Sequence, residues 1–402
     1  MTGVRRMFDN DGYLYRLMTR GISLLVLLCM LASCTLAVES TTTKKKKRKP
    51  AASATRSKPK PGATPARASL PSGVPRPAAK ARLRPLPHFD PTQGDNVDGD
   101  DLEVRRAAVE ALGPFDGTVV VVDPQTGRIL TMVNQKTALE SGFTPCSTIK
   151  LVTAFAALNE GLVARSTPLR LTRYTQLDLI AALAHSNNPY FTILGNRLGY
   201  ERVMRYAHLF GLGEKAGWDI PGERSGALPD APPQYGGVGM MTAYGEGIEL
   251  TPLELAALVS AIANGGTLYH LQYPRSQDEI DHFVPRVKRR LEFARWIDDV
   301  KVGMRAAVDI GTAHRAGYDP SEPILGKTGT CHDSRALMHL GWFGSFNDVE
   351  RNKVVVVVLL TGGRAINGPI AAGVAGSIYK QLSEQKFFAA SPLVSTQICC
   401  TQ

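Results

Sequence analysis

The strand-forming residues from Gly117 onward fall into short, nearly unbroken runs. Thr118, Val119, Val120, Val121 and Val122 stand between Gly117 and Asp123, Pro124-Gln125-Thr126-Gly127 supplies a turn, and Arg128 to Val133 returns. Runs of this length bounded by turn residues predict a hairpin of two buried strands. Ile324 to Thr330, His339 to Ser345 and Lys353 to Thr361 have the same character, and their short links suit an antiparallel sheet. Elsewhere the period changes. Leu151, Val152, Phe155, Ala156 and Leu158 recur at helical spacing and predict a helix that docks an apolar stripe on a core. Leu177 to Ala184 and Pro189 to Leu198 read as helices on either side of a Ser186-Asn187-Asn188 loop. A helix with Pro252 in its first turn runs to about Asn264, where Gly265-Gly266 stops it. Phe293 to Val308 and Ile370 to Leu382 complete the helical pieces, and Ser276 to Arg290 is charged without a clear period.

Composition divides the chain. Fourteen of its 47 Lys and Arg lie between Thr41 and Leu86, where there is no Asp or Glu, so the rest, with 36 acidic residues, sums to −3. The formal charge of +11 therefore belongs to a Pro- and Ala-rich basic stretch, which cannot bury enough apolar surface to fold and is expected to be a disordered tether. Ahead of it Gly21 to Val38 is uncharged and apolar, with its strongest run from Ile22 to Ala32, the length of a signal-peptide core. Leu31-Ala32-Ser33-Cys34 resembles a bacterial lipoprotein box, making Cys34 a lipidation candidate. An uncleaved membrane anchor is the alternative. The expected organisation is residues 1–38 as export signal or membrane anchor, 39–100 as tether, 101–385 as the folded domain and 386–402 as a C-terminal tail. A basic tether without interleaved aromatics argues against a nucleic-acid partner and suits contact with an anionic wall polymer or lipid. The eight histidines show no metal-ligand spacing and no Gly-rich phosphate loop is present, so neither metal nor cofactor is expected.

Chemistry concentrates at Ser147 and Lys150. A hydroxyl needs a base to become a nucleophile, and a lysine three residues along a helix lies on the same face. Burial against the apolar stripe disfavours the charged amine and readies it to accept a proton. Alone, Ser-x-x-Lys is also the pattern of a serine cap followed by a solvated lysine. Ser186-x-Asn188 and Lys327-Thr328-Gly329-Thr330 follow in order, 39 and then 141 residues further on. With these three motifs the chain resembles the penicillin-binding protein transpeptidase domain of the serine β-lactamase and D,D-peptidase superfamily. The likeness runs from about Gly113 to Leu382.

The resemblance implies an α/β fold of the α+β type, an antiparallel sheet flanked by helices with an all-α subdomain. It implies acyl transfer at D-Ala-D-Ala ends of peptidoglycan stem peptides, with Ser147 as nucleophile, Lys150 as its base, and Ser186 relaying a proton to the leaving amine. Lys327 would hold the local field positive and, with Thr328 and Thr330, engage the substrate's terminal carboxylate; Asn188 would bind the substrate amide, and Gly329 stands with the two threonines among the substrate-binding residues of the motif. Backbone N–H groups of Ser147 and Thr330 would meet the oxyanion. Cys146 and Cys331 flank two of the motifs, as a disulfide-forming pair does in class A carbapenemases; two buried thiols are the alternative. β-Lactams are expected as covalent inhibitors, because Glu223 lies in Pro-Gly-Glu-Arg-Ser-Gly rather than in the Glu-x-x-Leu-Asn stretch that deacylates class A enzymes. A D,D-carboxypeptidase, a β-lactamase and a non-enzymatic β-lactam sensor are the other readings. The site is expected on the extracytoplasmic face of the membrane, anchored through the N-terminus.

Overall fold

In the computed structural model, residues 90–389 other than 141, 318, 335 and 336 are described. The export or anchor segment with Cys34, nearly all of the basic tether, and Cys399 and Cys400 lie outside the described residues. Helix α1 (Leu102–Leu112) leads into strands β1 (Gly117–Asp123) and β2 (Arg128–Val133), helix α2 (Gln135–Glu140), a 3-10 turn at Cys146–Ile149 and helix α3 (Lys150–Asn159). A two-stranded ribbon, β3 (Leu169–Arg170) and β4 (Gln176–Leu177), precedes helices α4 (Leu179–Ala184), α5 (Asn188–Leu198), α6 (Tyr200–Leu209), α7 (Gly237–Tyr244) and α8 (Pro252–Ala263). Then come β5 (Thr267–Tyr269), α9 (Gln277–Asp281), β6 (Val287–Arg290) and α10 (Ile297–Asp309). Strands β7 (Ile324–Asp333), β8 (Met338–Asn347) and β9 (Val355–Gly362) and helix α11 (Gly368–Glu384) close the order.

Five strands pair antiparallel in the order β2-β1-β9-β8-β7. Alternate side chains of β1 and β9 enter two different cores. Val119, Val121, Val356, Val358 and Leu360 pack with residues of α1 and α11, whereas Val120, Val122, Val355, Val357 and Leu359 pack with α3 and α8. Because both faces are covered, these strands read as continuous apolar runs, not as the alternation of a half-solvated sheet. Thr118 is tolerated inside β1 because its hydroxyl donates to the Val133 carbonyl at 2.7 Å. Helix α8 starts on a capping box in which Thr251 and Glu254 satisfy each other's backbone N–H groups.

Helix α3 departs from the expected one-sided stripe. Every residue from Lys150 to Leu158 is buried, with α5, α6 and α10 packed around the helix. With every face of the helix covered, Lys150 is held out of water along with its apolar neighbours. The motif helix α5 begins at Asn188, with Asn187 as its cap accepting from Tyr190 N. Among the described residues, no helix is long and apolar enough to cross a membrane.

Both domain edges lie outside the expected limits. Residues 90–100, assigned to the tether, carry Asp95 and Asp100, whose carboxylates each bind the buried Arg105 guanidinium at 2.9 Å. Asp95 also accepts from the backbone of Asn134 and Gln135 at the end of β2. A cation from α1 draws both carboxylates inward and so ties this stretch to the folded domain. Beyond residue 385, Phe388 is buried against the α11 side of the sheet.

Arg105→Met would leave two buried carboxylates without their cation. The expected result is a loss of about 3–5 kcal/mol in unfolding free energy, read from the urea midpoint. An unchanged midpoint would show the cluster to be dispensable.

Candidate active site

Three segments distant in sequence meet between the sheet and the helices. The 3-10 turn at Cys146–Ile149 presents Ser147, half-buried, at the head of α3. The α4–α5 corner presents Ser186 and Asn188, and the middle of β7 presents Lys327, Thr328, Gly329 and Thr330. Cys146 and Ser186 both hold left-handed backbone conformations, with φ of 52° and 53°. Such conformations cost of order 1–3 kcal/mol each and persist where surrounding structure over-determines them.

Two lysine amines converge on one hydroxyl. Lys150 Nζ contacts Ser186 O at 2.7 Å, Ser186 Oγ at 3.2 Å and Asn188 Oδ1 at 2.5 Å. Lys327 Nζ donates to Ser186 Oγ at 2.8 Å and to Thr328 O at 3.0 Å. Both side chains are fully buried. Burial first, and then the positive charge of Lys327, lowers the Lys150 pKa to about 6; burial alone lowers Lys327 to about 7. Two ammonium ions sharing one oxygen repel, so the pair titrates as a unit and carries fewer than two protons at neutral pH. A neutral Lys150 can donate to Ser186 O and Asn188 Oδ1 while its lone pair faces the Ser186 hydroxyl. Lys327, donating to that same oxygen, then completes a line of three groups along which a proton can move.

Among the described residues, the Ser147 hydroxyl makes no hydrogen bond. The Lys150 amine, expected against this oxygen, is directed instead to Ser186 and Asn188. Catalytic hydrogen bonds are often long or poorly aligned before substrate binds.

Several ties hold the Ser147 turn against β7. A disulfide joins Cys146 to Cys331, with Cα atoms 5.5 Å apart. Asp333 accepts from the backbone N–H and the hydroxyl of Thr144, both at 3.1 Å, and the Trp342 indole donates to Thr144 O at 3.0 Å. Gly329 makes the approach possible. A Cβ there would stand 3.1 Å from Pro145 O and 3.2 Å from Thr148 Cγ2, closer than most real contacts, so this glycine marks a near approach of two backbones. Behind it, Thr330 Oγ1 accepts from Gly368 N at 2.8 Å, which leaves the Thr330 O–H free to donate outward.

Asp333, Thr144 and Trp342 were missed by sequence reasoning. A carboxylate two residues past Cys331, at the end of the motif strand, was the available signal. His185 and His332 are exposed beside the motifs, and the described residues hold no group of three or more side chains able to bind a metal. Glu223 is buried in its own loop, where it accepts from Gly217 N at 2.9 Å.

The family model described as "Penicillin binding protein transpeptidase domain" matches residues 117–382. Stage V sporulation protein D of Bacillus subtilis is 27% identical over 316 residues, covering 66% of this chain and 49% of that protein. Peptidoglycan D,D-transpeptidase MrdA of Acinetobacter baumannii is 25% identical over 390 residues, covering 74% of this chain and 55% of that one. The chain thus spans about half the length of these curated relatives. Among solved structures, Pseudomonas aeruginosa PBP2 in complex with WCK 5153 superimposes with a TM-score of 0.59 at 24% identity, covering 72% of this chain and 77% of that one. The D,D-transpeptidase domain of a peptidoglycan glycosyltransferase from Eggerthella lenta gives 0.58 at 22%, covering 71% and 82%. These likenesses show the α+β fold, with its antiparallel sheet flanked by helices.

The disulfide closes a separation of 185 residues. Removing it in a Cys146→Ser, Cys331→Ser variant should cost about 2–4 kcal/mol, seen as a lower Tm than that of the oxidised parent. Equal Tm values would contradict a stabilising role for the bridge.

Proposed function

The chain belongs to the penicillin-binding protein transpeptidase family, and from that membership we propose that it is a serine-type D,D-transpeptidase acting on D-Ala-D-Ala ends of peptidoglycan stem peptides. The observation that carries this reading is the convergence of two buried, electrostatically opposed lysine amines on Ser186, beside a turn that presents Ser147. On this proposal Ser147 Oγ attacks the carbonyl of the penultimate D-Ala and gives its proton to neutral Lys150. The oxyanion is held by the N–H groups of Ser147 and Thr330. Collapse breaks the peptide bond, and the departing D-Ala amine takes the proton of Ser186, which Lys150 restores across the 3.2 Å contact. An amine from a neighbouring stem peptide then attacks the ester by the reverse route, forming the cross-link and freeing Ser147.

Lys327, Thr328 and Thr330 would bind the terminal carboxylate, and Asn188 the substrate amide. The Asn188 carbonyl oxygen already faces Lys150, so its amide N–H₂ is the end available to a ligand. Gly329 contributes by its missing side chain, which lets the motif strand lie close to Pro145 and Thr148 of the turn that carries Ser147. β-Lactams would acylate Ser147 and remain, since Glu223, the acidic residue weighed as a deacylating base, is committed to its own loop. The chain would act outside the cytoplasm, held at the membrane by the segment preceding the domain.

Ser147→Ala should abolish the mass increase seen when the full chain is mixed with penicillin; an unchanged adduct would remove Ser147 from the mechanism. For the parent, an adduct that persists for hours supports a transpeptidase, whereas rapid loss with hydrolysed drug indicates a β-lactamase. A persistent adduct without action on D-Ala-D-Ala peptides indicates a sensor.

The acylation rate should also depend on pH. Attack requires neutral Lys150, so the second-order rate constant should fall as pH drops below about 6. Carboxylate binding favours protonated Lys327, so the rate should fall again as pH rises through and beyond about 7. Stopped-flow or quenched mass measurements across this range check both limbs; a rate that climbs steadily to pH 10 would contradict a depressed Lys150 pKa.

A further inference from the structure

We propose that Thr312 is a positioning residue that aims the Thr328 hydroxyl at the ligand's carboxylate; the inference rests on the acyl-transfer reading of the site. Thr312 follows the end of α10, outside all three motifs. Its Oγ1 lies 2.6 Å from Thr328 Oγ1, and Thr328 is buried. Its backbone N–H donates to Ala184 O at 3.0 Å, two residues ahead of Ser186. Gly311 secures this seat, because a Cβ there would stand 2.1 Å from the same Ala184 oxygen. The Gly311–Thr312 corner is therefore wedged between the segment that carries Ser186 and the strand that carries Lys327 and Thr328.

The direction of the hydroxyl pair follows from chemistry. Each hydroxyl has one proton, and in the free protein either oxygen can be the donor. A carboxylate accepts only, so once it binds, Thr328 must turn its proton toward the ligand. Thr328 Oγ1 then needs a donor behind it, and Thr312 supplies one. Hydrogen bonds in a chain of this kind polarise one another, which strengthens the bond to the anion. Lys327 provides charge at the same strand position, but a buried ammonium bound to Ser186 Oγ and Thr328 O cannot set the rotation of the Thr328 hydroxyl. Removing the Thr312 hydroxyl would leave Thr328 without that donor, while leaving the Lys150–Ser186–Lys327 line intact.

The test compares acylation of the full chain by penicillin and by its methyl ester, which lacks the carboxylate, in the parent, Thr312→Val and Thr312→Ser. Thr312→Val should slow acylation by penicillin by up to about tenfold, the upper range for one lost hydrogen bond between neutral groups. Acylation by the ester should slow much less, and Thr312→Ser should restore most of the penicillin rate. An unchanged penicillin-to-ester ratio in Thr312→Val, with adduct still forming, would overturn the assignment of Thr312 alone. A serine variant as slow as the valine variant would also overturn it, pointing to packing instead of the hydroxyl. If the parent forms no adduct with either compound, the acyl-transfer reading falls, and this inference with it.

Discussion

The site is organised by one constraint: two lysine amines, both removed from water, are held on the same serine oxygen. Among the described residues no carboxylate forms an ion pair with either amine, and each proton on one raises the cost of a proton on the other. The protein thereby keeps an amine basic enough to accept a proton yet neutral often enough to do so near pH 7. A solvated lysine, with its pKa near 10.4, would be almost wholly charged at that pH and unable to act as a base. Helix α3 supplies the burial for Lys150, and the covered middle of β7 supplies it for Lys327.

The same arrangement explains why the surrounding structure is tightly tied. A proton line of three groups works only if its members stay within hydrogen-bond reach while the substrate comes and goes. The disulfide, the Asp333 contacts to Thr144 and the Trp342 indole bind the Ser147 turn to β7 and β8. Gly329 lets the backbones approach, and the Gly311–Thr312 corner links the Ser186 segment to the motif strand. These ties come from elements far apart in the chain, so the site can form only when the sheet and the helical part have both assembled.

Much of the fold was legible because its signals are local. The valine runs of β1 and β9 are unbroken since both sheet faces are covered, and the Thr251-Pro252 start of α8 carries its own capping chemistry. Helix α6 was also within reach, since Val203, Met204, Tyr206 and Ala207 mark one buried face at helical spacing. Helix α7 was not, because Gly237-Val238-Gly239 at its start conceals a period. The positions of the three motifs and the cysteine pair were visible by resemblance. The all-round burial of α3 was not, because its neighbours come from three separate later segments. The place of residues 90–100, assigned with the tether, was hidden for a similar reason: the Arg105 guanidinium that binds Asp95 and Asp100 comes from the following helix, and only the fold brings them together.

The central claim is that Lys150 is neutral near physiological pH. Incorporating ¹⁵N- or ¹³C-labelled lysine and following the side-chain resonances by NMR across pH 4 to 11 measures this directly, with Lys150→Met used for assignment. One amine, lost in that variant, should titrate near pH 6. If every lysine in the folded protein titrates near pH 10, Lys150 is charged when the site operates, and the account of its chemistry is wrong.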